Sequence, residues 1–441
     1  MSVLRLARRA LLLAIAVCMP ALLLGLPGIA SSAPSDSAGA LKPGLAPIRL
    51  GMIEGMSGPF GNTGAAVARN LRFAVDRVNA RGGVKLADGR HPLQLVIFDS
   101  EGGTEKALLQ LQALTDQNIG FVLQGNSSAV ASALIAAISR QNQRDPAHRV
   151  LFLNYSAVDP ALTNADCSFW HFRFDADAAM RMDALTQVMA ADTSLKRAFL
   201  INQDYSFGHQ VADLARASLA QKRPDVAIVG DVFHPIGQVK DFSAYISKIR
   251  EHDANAVITG NWGNDLTLLV KAAREQSLDA RFYTFYGNNM GAPAALGDAG
   301  VGRVFAVADW HPNVGGAESD AFAKAFSAYV SQPSDDYPVL RMSVMVDMLA
   351  AAIERAGNTE AVPVAHALEG MHWNNPLHPS WMRADNHQLI QPLYVMRMGR
   401  VGTPGVRFDS EGSGFGFRTE LAVPADKTVM PTTCQMKRPL S

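Results

Sequence analysis

The chain has 441 residues, and its 40 lysines and arginines are balanced by 40 aspartates and glutamates. This balance leaves no excess of positive charge that would attract nucleic acid or an acidic lipid surface. The length is too great for one compact core and is about right for two domains.

The N-terminus has the order of a secretory signal peptide. Three arginines lie within residues 1–9, an apolar run follows over residues 10–26, and small residues come next at 30–33. This order predicts that residues 1–33 are a cleaved signal peptide. Residues 34–47, rich in Ser, Ala, Gly and Pro, are expected to form a flexible leader.

A retained membrane anchor is the alternative explanation for the same apolar run. The run is near the minimum of about 17 residues for a membrane-spanning helix, and Pro20 and Gly25 weaken it. No apolar stretch after Leu26 is long enough to span a bilayer, so we expect a mature protein that does not cross the membrane.

From Ile48 onwards, short apolar strands alternate with amphipathic helices. A first array has predicted strands at 48–53, 93–98, 121–123 and 149–155. After an irregular stretch, a second array has predicted strands at 198–202, 226–232, 256–259, 281–286 and 303–308. Two long helices near 318–330 and 338–356 and a strand at 392–398 follow. Strands that are apolar on both faces and separated by helices predict an α/β fold with parallel sheets covered on both sides.

Ligands of open parallel sheets bind at the carboxyl ends of the strands. In the first array the loops at 54–61, 124–128 and 155–160 occupy those positions. Ser127 and Ser128, which open a helix, could bind a carboxylate with help from the helix N-terminus. Ordinary turn chemistry explains any one of these loops, whereas several at one sheet edge favour a binding site.

The second array offers matching loops at 204–208, 260–265 and 286–290. The aromatic Trp262 at a strand's carboxyl end suits a wall against an organic ligand. Packing between two lobes is the alternative role for Trp262.

Several short motifs in the correct order resemble the leucine/isoleucine/valine-binding protein family, the type I periplasmic solute receptors of ABC importers. The motifs are Met56-Ser57-Gly58-Pro59-Phe60, Val78-Asn79-Ala80-Arg81-Gly82-Gly83, Asp99, Val158-Asp159-Pro160-Ala161-Leu162-Thr163, Tyr205-Ser206-Phe207-Gly208 and Val239-Lys240-Asp241-Phe242-Ser243.

The resemblance implies two Rossmann-like lobes with parallel sheets, joined by a hinge of about three crossovers. Lobe one is expected to comprise residues 48–174 plus 304–390, and lobe two residues 175–303 plus 391–441. It also implies a periplasmic receptor that is not an enzyme and uses no cofactor. Such a receptor binds a small polar ligand, an amino acid or related amide or carboxylate, and delivers it to an ABC permease.

Carried over onto this sequence, the family's carboxylate-binding hydroxyl falls on Ser127 or Ser128. The contacts of the next binding loop fall on Ser156, Ala157 and Val158. Val158 stands where the family often has threonine, so a hydroxyl donor is lost there.

In lobe two, the family's tyrosine falls on Phe207, with Tyr205 nearby, and a second aromatic falls on Trp262. The acid that binds the ligand ammonium falls near Asn288, where this sequence has no acid. Asp177, at the crossover, and Glu54 are the candidates to supply that charge instead. These departures keep the receptor interpretation, but a neutral amide, an aromatic acid or a modified amino acid fits as well as an aliphatic amino acid.

A secreted hydrolase and a ligand-sensing receptor are the rival functions. The sequence lacks the Gly-x-Ser-x-Gly nucleophile motif and the His-Glu-x-x-His metal motif. His372, His378 and His387 cluster, but their spacing matches no common zinc site, so surface or packing roles are expected. A sensor would use the same fold and the same cleft.

With residues 1–33 removed, Cys167 and Cys434 remain. An even number of cysteines in an oxidising compartment allows one disulfide, and two free buried thiols are the alternative.

Overall fold

Two separate sheets organise the computed structural model, which describes residues 45–375, 377 and 379–439. The predicted signal peptide at 1–33 and residues 34–44 of the predicted leader lie outside the described residues. No helix within the described part of the chain is long and apolar enough to cross a bilayer.

The strands, in chain order, are β1 (Ile48–Glu54), β2 (Val84–Leu86), β3 (Gly89–His91), β4 (Leu93–Asp99), β5 (Phe121–Gln124), β6 (Leu151–Asn154), β7 (His171–Arg173), β8 (Arg197–Gln203), β9 (Ala227–His234), β10 (Ala256–Thr259), β11 (Arg281–Thr284), β12 (Val304–Ala308), β13 (His372–Trp373), β14 (Ser380–Met382), β15 (Leu389–Ile390), β16 (Leu393–Arg400) and β17 (Phe415–Val423). The helices are α1 (Gly61–Ala80), α2 (Thr104–Thr115), α3 (Ser128–Arg144), α4 (Ala178–Ala191), α5 (Ser206–Lys222), α6 (Ser243–Glu251), α7 (Gly263–Glu275), α8 (Ala292–Leu296), α9 (Ala317–Tyr329), α10 (Leu340–Ala356) and α11 (Ala361–Leu368).

Lobe one contains a parallel five-stranded sheet in the order β4-β1-β5-β6-β7. Helices α1, α2, α3, α9, α10 and α11 pack on it and share one hydrophobic core. The side chains of Met52 and Ile53 in β1, which point to opposite faces of the sheet, are both fully buried, as expected for a strand covered on both faces. Gly51 lets α2 approach the backbone, since a Cβ there would lie 2.0 Å from Leu114 Cδ1.

Lobe two contains a seven-stranded sheet in the order β17-β16-β12-β11-β10-β8-β9. Its inner strands are parallel, and the last two strands in sequence, β16 and β17, are added antiparallel at one edge. Helices α4 to α8 cover this sheet. The arrangement confirms the predicted α/β fold with two lobes.

The predicted lobe boundary at residue 304 is wrong. Strand β12 pairs with β11 and β16, so it belongs to lobe two, and the chain crosses to lobe one only after Ala308. The chain crosses between the sheets at 174–177, 309–316 and 391–392, which gives the three expected crossovers.

The end of the chain also departs from the predicted assignment of 391–441 to lobe two. Beyond β17 the tail returns to lobe one, where a disulfide joins Cys434 to Cys167. On the way, Thr428 Oγ1 donates to Gln391 O at 3.0 Å, and Thr433 N donates to Asn164 Oδ1 at 3.1 Å. The tail is therefore a further connection between the lobes, and it is covalently fixed at its far end.

Candidate functional site

A cavity lies where the carboxyl ends of the two sheets face each other. Clefts between two lobes of this kind are common places for small-ligand sites. Its described lining comprises Thr63, Ala66, Val67, Gly125, Asn126, Ser127, Ser128, Ser156, Ala157, Val158, Tyr205, Phe207, Trp262, Tyr286, Asn289, Met290, Tyr337, Val339, Arg341 and Met342.

Two serine hydroxyls at the start of α3 form the polar centre of the lobe-one wall. Ser127 Oγ caps the helix by accepting from Val130 N at 3.4 Å. Ser128 Oγ accepts from Asp159 N at 3.3 Å. Because both oxygens are acceptors in these bonds, each hydroxyl proton can be donated to a ligand.

A buried carboxylate behind this wall fixes the loop after β5. Glu54 Oε1 accepts from Gly125 N at 2.8 Å, from Asn126 N at 2.9 Å and from the Tyr155 hydroxyl. Burial raises the pKa of Glu54 above its usual value, and the hydrogen bond from Tyr155 acts against that rise. Glu54 therefore shapes the wall from behind and does not line the cavity.

A cation that the sequence analysis did not identify, Arg341, lies at the first turn of α10. Its Nη2 donates to Ser156 Oγ at 3.2 Å and its Nε to Tyr155 O at 2.7 Å. The same guanidinium pairs with Asp175 at 3.1 Å and with Asp309 at 3.0 Å. Burial lowers the pKa of Arg341, but Asp175 and Asp309 outweigh burial and hold that pKa above its usual value.

The lobe-two wall is aromatic. Tyr205 and Trp262 stand at the N-termini of α5 and α7, and Trp262 Nε1 donates to the Tyr205 hydroxyl at 2.9 Å. Burial raises the pKa of Tyr205 well above its usual value and that of Tyr286 to about 12. Both phenols therefore remain protonated at neutral pH.

A second buried carboxylate supports this wall. Asp265 Oδ2 accepts from Gly237 N and from Gln203 Nε2, both at 2.8 Å. Gln203 Nε2 also lies 3.3 Å from Trp262 O, which ties the carboxylate to the backbone of the aromatic residue.

The two lobes touch directly at the mouth of the cavity. The rings of Phe60 and Trp262 stack at a centroid distance of 4.9 Å, and Asn264 Nδ2 donates to Pro59 O at 3.0 Å. Ser206 also donates to Asp159 across the cleft. Trp262 thus packs at the lobe interface, which is one of the two roles considered for it, and it also lines the cavity.

The structure brings most of the predicted site residues to one cavity. These are Ser127, Ser128, Ser156, Ala157, Val158, Tyr205, Phe207 and Trp262.

Three predicted residues lie elsewhere. Glu54 faces backbone N–H groups, as described above. Asp177 caps α4 by accepting from Met180 N at 2.9 Å, and it forms an ion pair with Arg173 at 3.1 Å. Its carboxylate is therefore bound to protein groups at the first crossover. Asn288 lines a neighbouring cavity, and the next residue, Asn289, takes the place expected for it.

The histidine cluster also separates. His387 is buried, stacks on Phe172 at 3.9 Å and lies 2.7 Å from Glu369 through Nε2, which is a packing role. His372 is exposed, and His378 lies outside the described residues. Within the part of the chain that the structure describes, no group of three or more His, Cys, Asp or Glu side chains is arranged to hold a metal ion.

Comparison with known proteins gives consistent results. Residues 47–403 match a family model described as periplasmic binding protein. The chain is 30% identical over 425 residues to Leu/Ile/Val-binding protein homolog 4 of Brucella melitensis, covering 93% of this chain and 98% of that protein.

Solved structures with the same fold include the leucine-, isoleucine-, valine-, threonine- and alanine-binding protein of Brucella ovis in a closed conformation. It is 28% identical, with a TM-score of 0.78 over 89% of this chain and 100% of that one. A solute-binding protein of an ABC transporter from R. palustris, in complex with benzoate, is 20% identical. Its TM-score is 0.71 over 88% of this chain and 99% of that one.

Proposed function

Because this chain belongs to the periplasmic binding protein family, we propose that it is a periplasmic receptor that closes its lobes around a small organic carboxylate or amino acid. The observation that carries the proposal is the cavity between the strand tips of the two sheets, with its two chemically different walls. Hydrogen-bond donors form one wall of this cavity and aromatic rings the other, which suits a ligand with a polar end and an apolar body.

Docking on lobe one comes first in this proposal. The hydroxyls of Ser127 and Ser128 are held in place by bonds within lobe one, so they are ready before the cleft closes. Lobe two then brings Phe207 and Trp262 over the ligand by rotation at the crossovers. Contact with both lobes supplies the differential affinity that favours the closed state.

Delivery to an ABC permease is the second part of the proposal. A ligand-loaded closed form differs in surface from the open form and is the form that a membrane partner can select. Cleavage of residues 1–33 during export would release the receptor into the periplasm. The names of the Brucella relatives support an amino acid as the ligand.

A thermal-shift screen of residues 34–441 against amino acids, amides and small carboxylic acids tests the proposal. A ligand at 100 times its dissociation constant should raise the free energy of unfolding by about 2.7 kcal/mol. The double variant Ser127→Ala/Ser128→Ala should weaken the binding of that ligand, while Ser331→Ala, at an exposed position, serves as the matched control. If no compound in the panel stabilises the protein, the receptor proposal is wrong.

A further inference from the structure

The charges around the cavity point to a narrower class of ligand. Building on the proposed function, we infer that the ligand is a carboxylate without an ammonium group, such as a 2-oxo acid or an aromatic acid, and not a zwitterionic amino acid.

The first observation is that the cavity presents a cation and no anion. Among the described lining residues, Arg341 carries the single full charge, and none is an aspartate or glutamate. An ammonium group in this cavity would lose its water shell without meeting a carboxylate, which is unfavourable in a buried site.

The second observation explains why nearby acids do not supply that charge. Asp175 and Asp309 lie behind Arg341 and bind its guanidinium, so the cation stands between them and the cavity. Glu54 lies behind the backbone of Gly125 and Asn126 and accepts their N–H groups. Each of these three acids is therefore directed at a protein donor.

The third observation is an excess of hydrogen-bond donors on the lobe-one wall. The hydroxyls of Ser127 and Ser128 can donate, as shown above. The buried Asn126 Nδ2 has no hydrogen-bond partner in the structure. Donors that line the same cavity as Arg341 fit a carboxylate, because hydrogen bonds to an ionised acceptor are about twice as strong as neutral ones.

The opposite wall suits an uncharged body. Tyr205, Phe207, Trp262 and Met290 line it, and the tyrosine keeps its proton at neutral pH because burial raises its pKa. A flat or branched apolar group packs against such rings at little cost. An ammonium group on the carbon next to the carboxylate would find a weaker partner here, the Asn289 amide, whose Oδ1 already lies 3.3 Å from the Tyr337 hydroxyl.

Matched pairs of compounds that differ only at the amino group test the inference. Leucine and 4-methyl-2-oxopentanoate form one pair, phenylalanine and phenylpyruvate another, and benzoate is added as an aromatic acid. In calorimetric titrations of residues 34–441, we expect the member without the amine to bind at least tenfold more tightly. Tighter binding of the amino acid in both pairs would overturn the inference and leave the receptor proposal standing. Failure of every compound in these pairs and in the wider screen would overturn both.

A charge placed in the cavity provides an independent test. Asn289→Asp keeps an oxygen for Tyr337 to donate to, so the fold should be retained, but it adds a carboxylate to the lining. We expect it to weaken binding of the oxo acid or aromatic acid at least tenfold and to shift preference towards the amino acid of the same pair. Asn288→Asp makes the same change one residue away, outside this cavity, and should leave both affinities unchanged. Equal effects of the two variants would contradict the inference.

Discussion

The two walls of the cleft are fixed in different ways. On lobe one, Glu54 holds two backbone N–H groups and a tyrosine hydroxyl, and Arg341 is held by two aspartates. On lobe two, aromatic rings pack on one another, and Asp265 supports the loop around Trp262 through fewer bonds. The lobe-one wall is therefore a rigid set of donors, and the lobe-two wall is an apolar surface that adds contact area on closure.

Arg341 connects the cavity to the hinge. Arg341 lines the cavity, and its partners Asp175 and Asp309 lie in the first and second crossovers. Arg181 of α4 binds Asp175 as well and donates to Val307 O at 2.6 Å. A ligand that contacts Arg341 thus touches a group bonded to both crossovers. On lobe two, the Tyr286 ring is linked to the first crossover less directly, through Arg181, whose Cζ lies 5.3 Å from the ring centroid.

The largest expected effect comes from breaking that link. Arg341→Gln removes one of the cations that pair with Asp175 and Asp309, so we expect a loss of about 3–5 kcal/mol in the free energy of unfolding. Urea denaturation measures it. Lys196→Gln removes one partner of an exposed ion pair with Asp225 and should change the free energy of unfolding much less. A similar small loss for both variants would mean that the buried pairs at the hinge contribute little.

Replacing Glu54, which supports the lobe-one wall, should cost more stability than replacing Asp265, which supports the lobe-two wall. Glu54→Ala leaves three donors without their acceptor and should cost about 3 kcal/mol of stability, while Asp265→Ala leaves two and should cost about 2 kcal/mol. Comparing the two variants by urea denaturation and by ligand titration sharpens the contrast between the walls. Equal losses, or a larger loss at Asp265, would show that lobe two is fixed as firmly as lobe one.

The sequence predicted which loops line the cavity because their signal is local. A strand, a short loop and a helix start follow one another at Ser127, Ser156, Tyr205 and Trp262, and parallel strands bring such loops to one edge. Arg341 gave no comparable signal, because its helix reaches the cavity only through the packing of α10 beside the second crossover. The one sequence feature that could have indicated Arg341 is its position as a single arginine near the start of a mostly apolar helix.

Other errors have equally physical causes. An apolar strand buried on both faces does not reveal which sheet it joins, so β12 was placed in the wrong lobe. Adjacent residues of a turn can point into different cavities, which separates Asn289 from Asn288. A carboxylate beside a binding loop can hold a ligand or hold the loop, and only the positions of the N–H groups of Gly125 and Asn126 assign Glu54 to the loop.

On the aromatic wall the expected effect is on affinity. Trp262→Ala should weaken ligand binding by about 2 kcal/mol, since it removes a ring that lines the cavity. Phe60→Ala removes the lobe-one ring that stacks on Trp262, and Phe60 does not line the cavity. Any loss of affinity in this variant therefore reports on lobe closure. If Phe60→Ala weakens binding as much as Trp262→Ala, the tryptophan acts by joining the lobes and not by contacting the ligand.

The smallest expected effect lies where the two lobes meet, at Glu411. Its Oε2 accepts from Gly291 N at 2.8 Å. Burial raises the pKa of Glu411 to about 6. The charges of Asp335 and Asp336 in lobe one contribute to that rise, and the charge of Arg69 acts against it. A raised pKa means that the folded protein holds this proton more tightly than the unfolded chain. The contribution to stability is therefore present below pH 4.5 and is lost as pH rises through about 6.

Because the side chain is partly exposed, we expect about 1 kcal/mol between pH 5 and pH 7. Urea denaturation at both pH values should reveal this difference between the wild type and Glu411→Gln, which has no carboxyl to titrate. Glu318→Gln, at the exposed start of α9, controls for the loss of one charge. If the stabilities of the wild type and of Glu411→Gln change in parallel with pH, Glu411 does not couple protonation to the contact between the lobes.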